Sequence, residues 1–113
     1  MKNTLFLLIL LPLLAFGQET ETLKTEAEAY LEIEKALEYP DTITELDLSG
    51  YGLSYLPPEI GQFANLEKLW LQDNNLEELP PSIGNLRKLT HLKLEGNRLN
   101  ALPKEFWRLS SLE

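Results

Sequence analysis

Three copies of one leucine pattern decide the fold, and the first of them is Ile43-Thr-Glu-Leu-Asp-Leu-Ser-Gly-Tyr-Gly-Leu53. The second copy runs from Leu66 to Leu76 and the third from Leu89 to Leu99, so successive copies start 23 residues apart. Each copy continues into a matching tail with a leucine and a proline, at Leu56-Pro57, Leu79-Pro80 and Leu102-Pro103. A fixed period of this length is typical of proteins whose units stack on one another.

The leucines within each copy have the spacing of a short β-strand with one buried face. Leucines two residues apart point to the same side of a strand. One unit cannot bury that face alone, whereas stacked units share a continuous core. The sequence therefore predicts three parallel strands whose inward residues are Leu46 and Leu48, Leu69 and Leu71, and Leu92 and Leu94.

An asparagine stands where the second and third strands turn away from the sheet. The short amides of Asn74 and Asn97 are suited to bond buried backbone groups in their own and the adjacent unit. Tyr51 takes this position in the first copy, and a phenol ring cannot repeat that bonding. We therefore expect a rearranged turn at Gly50-Tyr51-Gly52. The prolines favour an irregular return path, because proline removes a backbone donor.

The pattern resembles the L-x-x-L-x-L-x-x-N-x-L repeat of the leucine-rich-repeat family. The LPxxIGxLxxL tail is similar to the 23-residue subtype found in bacterial and plant Ras-group-related repeat proteins. The resemblance covers residues 43–113 and implies an α/β solenoid, a short arc of about three repeats. The implied units are 43–65, 66–88 and 89–111, with a fourth starting at 112. The family also implies partner recognition rather than catalysis, although such a scaffold serves many ligands.

Residues 18–42 are predicted to form an acidic helix that caps the open start of the stack. At helical spacing, one apolar stripe lies within residues 22–39, and Thr25 with Glu28 has the form of a capping box. Pro40 ends the helix. The alternative interpretation is an acidic amphipathic helix that recruits a partner. The stripe comprises Leu23, Ala27, Tyr30, Leu31, Ile33 and Leu37.

The last unit begins at Leu112 and has no comparable cover in this sequence. Apolar residues of the third copy are therefore expected to face solvent, which normally marks an interface or an aggregation risk. Three explanations stay open. The chain is a piece of a longer array, it associates end to end with a copy of itself, or it tolerates a frayed last repeat.

Residues 1–17 have the layout of a secretory signal. Positive charge at Lys2 precedes an apolar run over 5–16, and small residues occupy the positions before a cut after Gly17. The run is well short of the roughly 20 residues of a spanning helix. An uncleaved anchor or a buried helix is the alternative. We predict a bacterial protein that is secreted, periplasmic or at the cell surface, without a stable membrane anchor after cleavage.

Composition and motifs narrow the classes of function. The net charge is −8, so the chain repels phosphate backbones and nucleic acid is not an expected partner. Cysteine is absent, which excludes disulfides and thiolate metal sites. The sequence contains no Gly-rich phosphate loop, HExxH or GxSxG. We therefore predict a protein that is not an enzyme and that needs neither a cofactor nor a metal.

The outward positions of the strands define the predicted binding surface. These side chains would line the concave face of the arc in ladders of mixed charge, where residues of neighbouring strands come within reach of each other. Among them Trp70 stands between two inward leucines and should face solvent, and exposed tryptophan is enriched in binding hot spots. The predicted partner-binding residues are Glu45, Asp47, Lys68, Trp70, Gln72, His91, Lys93 and Glu95.

Three hypotheses about function follow. The first is an exported module that binds a protein or peptide through the concave face, with Trp70 packing on the stems of Lys68 and Lys93 as the alternative role of that residue. The second is a structural or self-associating N-terminal piece of a longer array. The third is a glycan-binding surface protein, because tryptophan also stacks on sugars. Trp107, on the convex side beside Phe106, is predicted to belong to the core or its cap.

Overall fold

The computed structural model describes residues 24–113, and the predicted signal at 1–17 lies outside the described residues. One α-helix and one parallel sheet are its regular elements. Helix α1 spans Glu26–Ala36. None of the helices among the described residues has the length and apolar character needed to cross a membrane.

The sheet contains three short parallel strands, one from each copy of the repeat. Strand β1 is Glu45–Asp47, β2 is Lys68–Trp70 and β3 is His91–Lys93, in the order β1-β2-β3. Leu46 lies opposite Leu69, which lies opposite Leu92. We call each 23-residue unit of the stack a coil. The 23-residue offset of the sequence sets the register of the sheet, so residues at the same position of successive coils are neighbours in space.

Each strand returns through a proline-containing loop and one short 3-10 helix on the side of the core opposite the sheet. These helices span Pro58–Gln62, Pro81–Asn85 and Lys104–Arg108. The residue before each of them is a proline in extended conformation, with ψ near 150°. Because this conformation cannot continue a long helix, the return path stays short, as the prolines predicted.

The interior is one apolar cluster shared by the coils. Leu69 of the central strand and Leu71 just after it are fully buried, whereas Leu92 of the last strand and Leu94 just after it are partly buried. Isoleucine, phenylalanine and leucine of the 3-10 segments close the cluster opposite the sheet. The residues fully excluded from solvent are Ala29, Leu48, Leu53, Ile60, Phe63, Leu66, Leu69, Leu71, Leu76, Ile83, Leu86 and Leu89.

The two asparagines connect neighbouring coils as their position predicted. The amide oxygen of Asn74 accepts hydrogen bonds from the backbone of Tyr51 at 3.1 Å and Leu53 at 2.8 Å, both in the preceding coil. Its nitrogen donates to the carbonyls of Leu48 and Leu71, each at 2.9 Å. One side chain therefore satisfies backbone groups of two coils in a site where water is excluded.

The first turn is rearranged around Tyr51. Gly50 and Gly52 both have positive φ, at 73° and 74°, whereas the other two turns each have one such residue, Asp73 at 60° and Gly96 at 77°. The extra left-handed position needs glycine, because a side chain there is strained. The first turn thereby keeps its backbone bonds to Asn74 without an asparagine of its own.

Helix α1 covers the start of the stack with part of the predicted stripe: Ile33 is buried, and Tyr30 and Leu37 pack against the core. Leu23 lies outside the described residues. The capping box is present, with Thr25 accepting from the Glu28 amide and Glu28 accepting from the Thr25 amide. Ala29 and Ile33 are buried in the shared core. Ala27 and Leu31, which the stripe placed inward, are exposed, Leu31 by 54%. The face that meets the first coil is therefore turned toward Ala29 and away from Leu31.

Trp107 does not belong to the core, and that prediction was wrong: its side chain is 82% exposed. Trp107 occupies the position in its repeat that Gly61 and Gly84 occupy in the two preceding repeats. A Cβ atom at Gly84 would approach the Glu105 carbonyl oxygen of the next coil to 2.5 Å. This position therefore points along the stack toward the following coil, and a large side chain there extends outward rather than into the interior.

Candidate functional site

The strand register brings the predicted binding residues together on one face of the sheet. Glu45, Lys68 and His91 form one row across the three strands. Asp47, Trp70 and Lys93 form the next row. Beyond the strands, backbone bonds from Gly50 to Gln72 at 3.1 Å and from Asp73 to Glu95 at 2.9 Å continue the pairing. The eight predicted residues thus share one surface, which we call the concave face.

Opposite charges on the concave face pair with their neighbours. Lys68 Nζ lies 3.7 Å from Glu45 Oε2, the cross-strand pair that the ladder predicted. Lys93 Nζ lies 3.9 Å from Glu95 Oε2, two residues along the same chain segment rather than over the Trp70 ring. Exposed pairs of this kind are weak and exchange readily, typically at about 0.2–1 kcal/mol each. They are therefore available for exchange with charges of a partner.

Trp70 occupies the middle strand, between Asp47 on one side and Lys93 on the other. Its side chain is half-buried, while its neighbours Leu69 and Leu71 are fully buried. The alternation of the strand therefore places the indole on the concave face, as expected, but leaves only part of it in contact with solvent. This gives the face an apolar centre surrounded by weakly paired charges.

Asp47 is more constrained than the sequence suggested. Its Oδ1 atom accepts hydrogen bonds from the amide of Ser49 at 3.0 Å and from its hydroxyl at 2.6 Å. Burial alone would raise the pKa of this carboxyl, but the Ser49 hydrogen bonds and the charge of Lys24 lower the pKa below its ordinary value. Asp47 is therefore an ionised group that already uses one of its two carboxylate oxygens in hydrogen bonds to Ser49.

Two further predicted residues make unexpected local contacts. The Oε1 atom of Gln72 is buried and accepts no hydrogen bond from any residue in 24–113. His91 is exposed, and its Nδ1 atom lies 2.9 Å from the Thr90 hydroxyl, which itself lies 3.1 Å from the Glu67 carbonyl. Across residues 24–113 no carboxylate forms an ion pair with His91. The side-chain neighbour of His91 is therefore a hydroxyl group and not a carboxylate.

A second concavity lies on the flank of the coils, between the turns and the 3-10 segments, and sequence reasoning missed it. It encloses about 510 Å³ and runs across all three coils. Its walls include the exposed residues Tyr55, Glu77, Glu78 and Leu102. The sequence feature that indicates it is the residue just before each Leu-Pro pair. In the first two coils this residue is Tyr55 and Glu78, which are 23 positions apart and therefore lie on neighbouring coils.

Metal-ligating side chains do not cluster on either surface. Among residues 24–113, no group of three or more histidine or carboxylate side chains could hold a metal ion.

The stacked coils identify the family once the comparison with known families is added. Residues 41–99 and 64–113 each match the family model described as leucine-rich repeat. The chain belongs to the leucine-rich-repeat family. Leucine-rich repeats generally mediate protein binding, and proteins built from them are typically binding modules rather than enzymes.

A solved leucine-rich-repeat protein supports the same assignment. The chain is similar to a leucine-rich-repeat protein of Leptospira interrogans, with 28% sequence identity and a TM-score of 0.56. The match covers 71% of this chain and 32% of that protein, so the chain spans about a third of the length of this leucine-rich-repeat relative. The comparison with curated proteins gave no match.

Proposed function

We propose that the chain is a short leucine-rich-repeat solenoid that binds a protein or peptide through its concave face. The observation that carries this proposal is the half-buried Trp70 at the centre of the sheet. Tryptophan brings a large apolar contact area at low entropic cost, and it dominates many interfaces for that reason. The adjacent ion pairs of Lys68 and Lys93 can exchange for charges of the partner at little cost.

We propose further that the protein is exported and acts outside the cytoplasm, secreted, periplasmic or at the cell surface. The support is the charged start, the short apolar run and the small residues before Gln18. The intact mass of the product recovered from the culture medium or periplasm tests this. A chain that begins at Gln18 supports export, and a full-length chain confined to the cytoplasm contradicts it.

Photo-crosslinking in the producing cell tests the concave face. A benzophenone amino acid replaces His91, which is exposed on the concave face, and in a matched variant it replaces Lys88, which is exposed outside that face. We expect covalent adducts of discrete mass from position 91 and few from position 88. Adding Trp70→Ala should reduce adduct yield about tenfold or more, the loss typical of a hot spot of about 2 kcal/mol.

Circular dichroism and a thermal melt of each variant confirm that the coils still stack. Trp70→Phe, which keeps an aromatic ring, should restore part of the adduct yield. Equal yields from both positions, or an unchanged yield with Trp70→Ala, would contradict a concave binding surface. An adduct whose added mass is removed by glycosidase would instead indicate a glycan ligand.

A further inference from the structure

We propose that the flank concavity is a second docking site, which takes an extended peptide segment of another protein with lysine or arginine alternating with apolar residues. We call it the flank groove. The cavity of about 510 Å³ adjoins a second one of about 270 Å³, and the two share Tyr55, Glu78, Leu79 and Pro81. Together they form one channel across the three coils, separate from the concave face.

The charge of the flank groove is acidic and uncompensated. Glu77 and Glu78 line its centre, and no lysine, arginine or histidine lines it. Within residues 24–113, neither carboxylate forms an ion pair, in contrast to Glu45 and Glu95 on the concave face. A segment with positive charge is therefore attracted, whereas an acidic or phosphorylated segment is repelled.

Apolar and aromatic surface lies beside these charges. Tyr55 is 53% exposed and Leu102 is 42% exposed, one at each end of the row of three coils. Pro81 lies between them on the central coil and is also exposed. Aliphatic stems and branched side chains can cover this surface, and the tyrosine ring also attracts a cation placed over its face.

The backbone of the flank groove favours an extended rather than a helical occupant. Tyr55, Glu78 and Ala101 occupy like positions of successive coils and all line the groove. Their amide N–H groups donate to no acceptor in the part of the chain that the structure describes. An extended peptide offers its own carbonyl oxygens along its length, whereas a helix uses them internally. Successive side chains of an extended peptide point to opposite sides, so the charged side chains of the peptide face one wall of the groove and its apolar side chains face the other.

Fluorescence anisotropy with three labelled nonapeptides tests this site on the whole chain. The probes are an alternating lysine–valine peptide, a glutamate–valine peptide and a lysine–glycine peptide. We expect binding of the lysine–valine probe only, weakened by added salt because the surface is charged. The double substitution Glu77→Gln with Glu78→Gln should weaken binding about fivefold to tenfold, the effect of losing two exposed charge contacts. Tyr55→Ala should weaken it by a similar factor.

Two control variants separate this site from general charge and from the concave face. Glu34→Gln with Glu38→Gln removes the same charge at exposed positions outside the groove and should leave the affinity unchanged. Trp70→Ala should also leave the affinity for the lysine–valine probe unchanged. The proposal for the flank groove and the proposal for the concave face can therefore be contradicted separately. No binding of the lysine–valine probe, equal binding of the lysine–glycine probe, or equal loss with the Glu34/Glu38 variant would each overturn the proposal.

Discussion

At the scale of single residues, Asn74 shows how one side chain joins two coils. This residue is 4% exposed, and its side chain forms hydrogen bonds with backbone groups of the first coil and of its own coil. Asn97 repeats the arrangement with fewer partners, because within residues 24–113 its oxygen accepts only from Leu76. A buried backbone group left without a partner costs about 1–3 kcal/mol. The requirement for an amide at this point is therefore energetic as well as geometric.

Glu26 makes the corresponding connection between the helix and the first coil. Its Oε2 atom accepts from the Ser54 hydroxyl at 2.6 Å, the Ser54 amide at 2.9 Å and the Tyr30 hydroxyl at 2.8 Å. The hydrogen bonds from Ser54 lower the pKa of Glu26 below its ordinary value. On the other side of the contact, burial and the Glu26 carboxylate raise the pKa of Tyr30 to about 12.

These shifts predict how stability depends on pH. Because the folded-state pKa of Glu26 is depressed, its contribution is fully present above the unfolded value of about 4.3 and is lost as the pH falls further. We expect Glu26→Gln to lower the free energy of unfolding by about 1 kcal/mol at pH 6, which is the usual value for hydrogen bonds to a charged group reduced for screening by solvent. The difference from wild type should shrink below pH 4 in urea titrations.

A control variant shows whether this pH dependence belongs to Glu26. Glu34→Gln, at an exposed position of the same helix that has no ion pair within residues 24–113, should leave the free energy of unfolding near that of wild type throughout. A difference between Glu26→Gln and wild type that stays constant from pH 6 to pH 3 would show that the carboxylate contributes nothing by its charge.

At the scale of elements, the 3-10 segments set how closely the coils stack. Gly61 and Gly84 have ordinary φ values, so they are needed for spacing and not for backbone conformation. A Cβ atom at Gly61 would meet Ser82 of the next segment at 2.8 Å, and one at Gly84 would meet the Glu105 backbone. Each segment therefore touches the next one through its glycine.

We predict that Gly84→Ala destabilises the protein by about 1–3 kcal/mol, the usual cost of overpacking. The Glu105 carbonyl that the new methyl group meets belongs to the backbone and cannot rotate away. Trp107→Ala, at the same position of the third coil, should change the free energy of unfolding by less than about 0.5 kcal/mol because its side chain is exposed. Chemical denaturation measures both, and equal costs for the two variants would contradict the spacing argument.

At the scale of the whole molecule, the repeated positions could be predicted from the sequence and the single ones could not. The strands, their register and the asparagine bonds follow from a period that occurs three times, so each copy supports the others. The buried face of α1 occurs once, and apolar spacing alone did not show that Ala29 rather than Leu31 meets the first coil. The position of Trp107 aligns with Gly61 and Gly84, and only the stacked coils show that this position points toward the next coil and not into the core.

The candidate surfaces also contain features that the repeat predicts and features that it does not. Strand alternation predicts which residues face away from the buried leucines, and the register of the sheet has them on that outward face; their role in binding stays a prediction. The local partners of Asp47, Gln72 and His91 depend on side-chain geometry that the pattern does not contain. The flank groove depends on the path of the return loops, which carry no regular alternation. Its row of like positions becomes a surface only when the coils are stacked.

One shared core predicts that the helix and the coils unfold together. Ala29 and Ile33 of α1 belong to the same buried cluster as leucines of each coil. In a Trp107→Phe background, Trp70 is the remaining tryptophan and reports on the central strand. We expect the helical circular dichroism and the Trp70 fluorescence to change at one midpoint, as a single cooperative unit requires.

Ile33→Ala tests this coupling, because it should lower the free energy of unfolding by about 2–4 kcal/mol through the cavity it leaves. The shift should be equal for both probes, since losing the helix exposes the core of the first coil and each coil depends on its neighbour. Leu31→Ala, on the exposed side of the same helix, should cost less than about 0.5 kcal/mol. If Ile33→Ala moves only the helical signal and leaves the Trp70 transition in place, then α1 is an appendage, and the coils are stable without it.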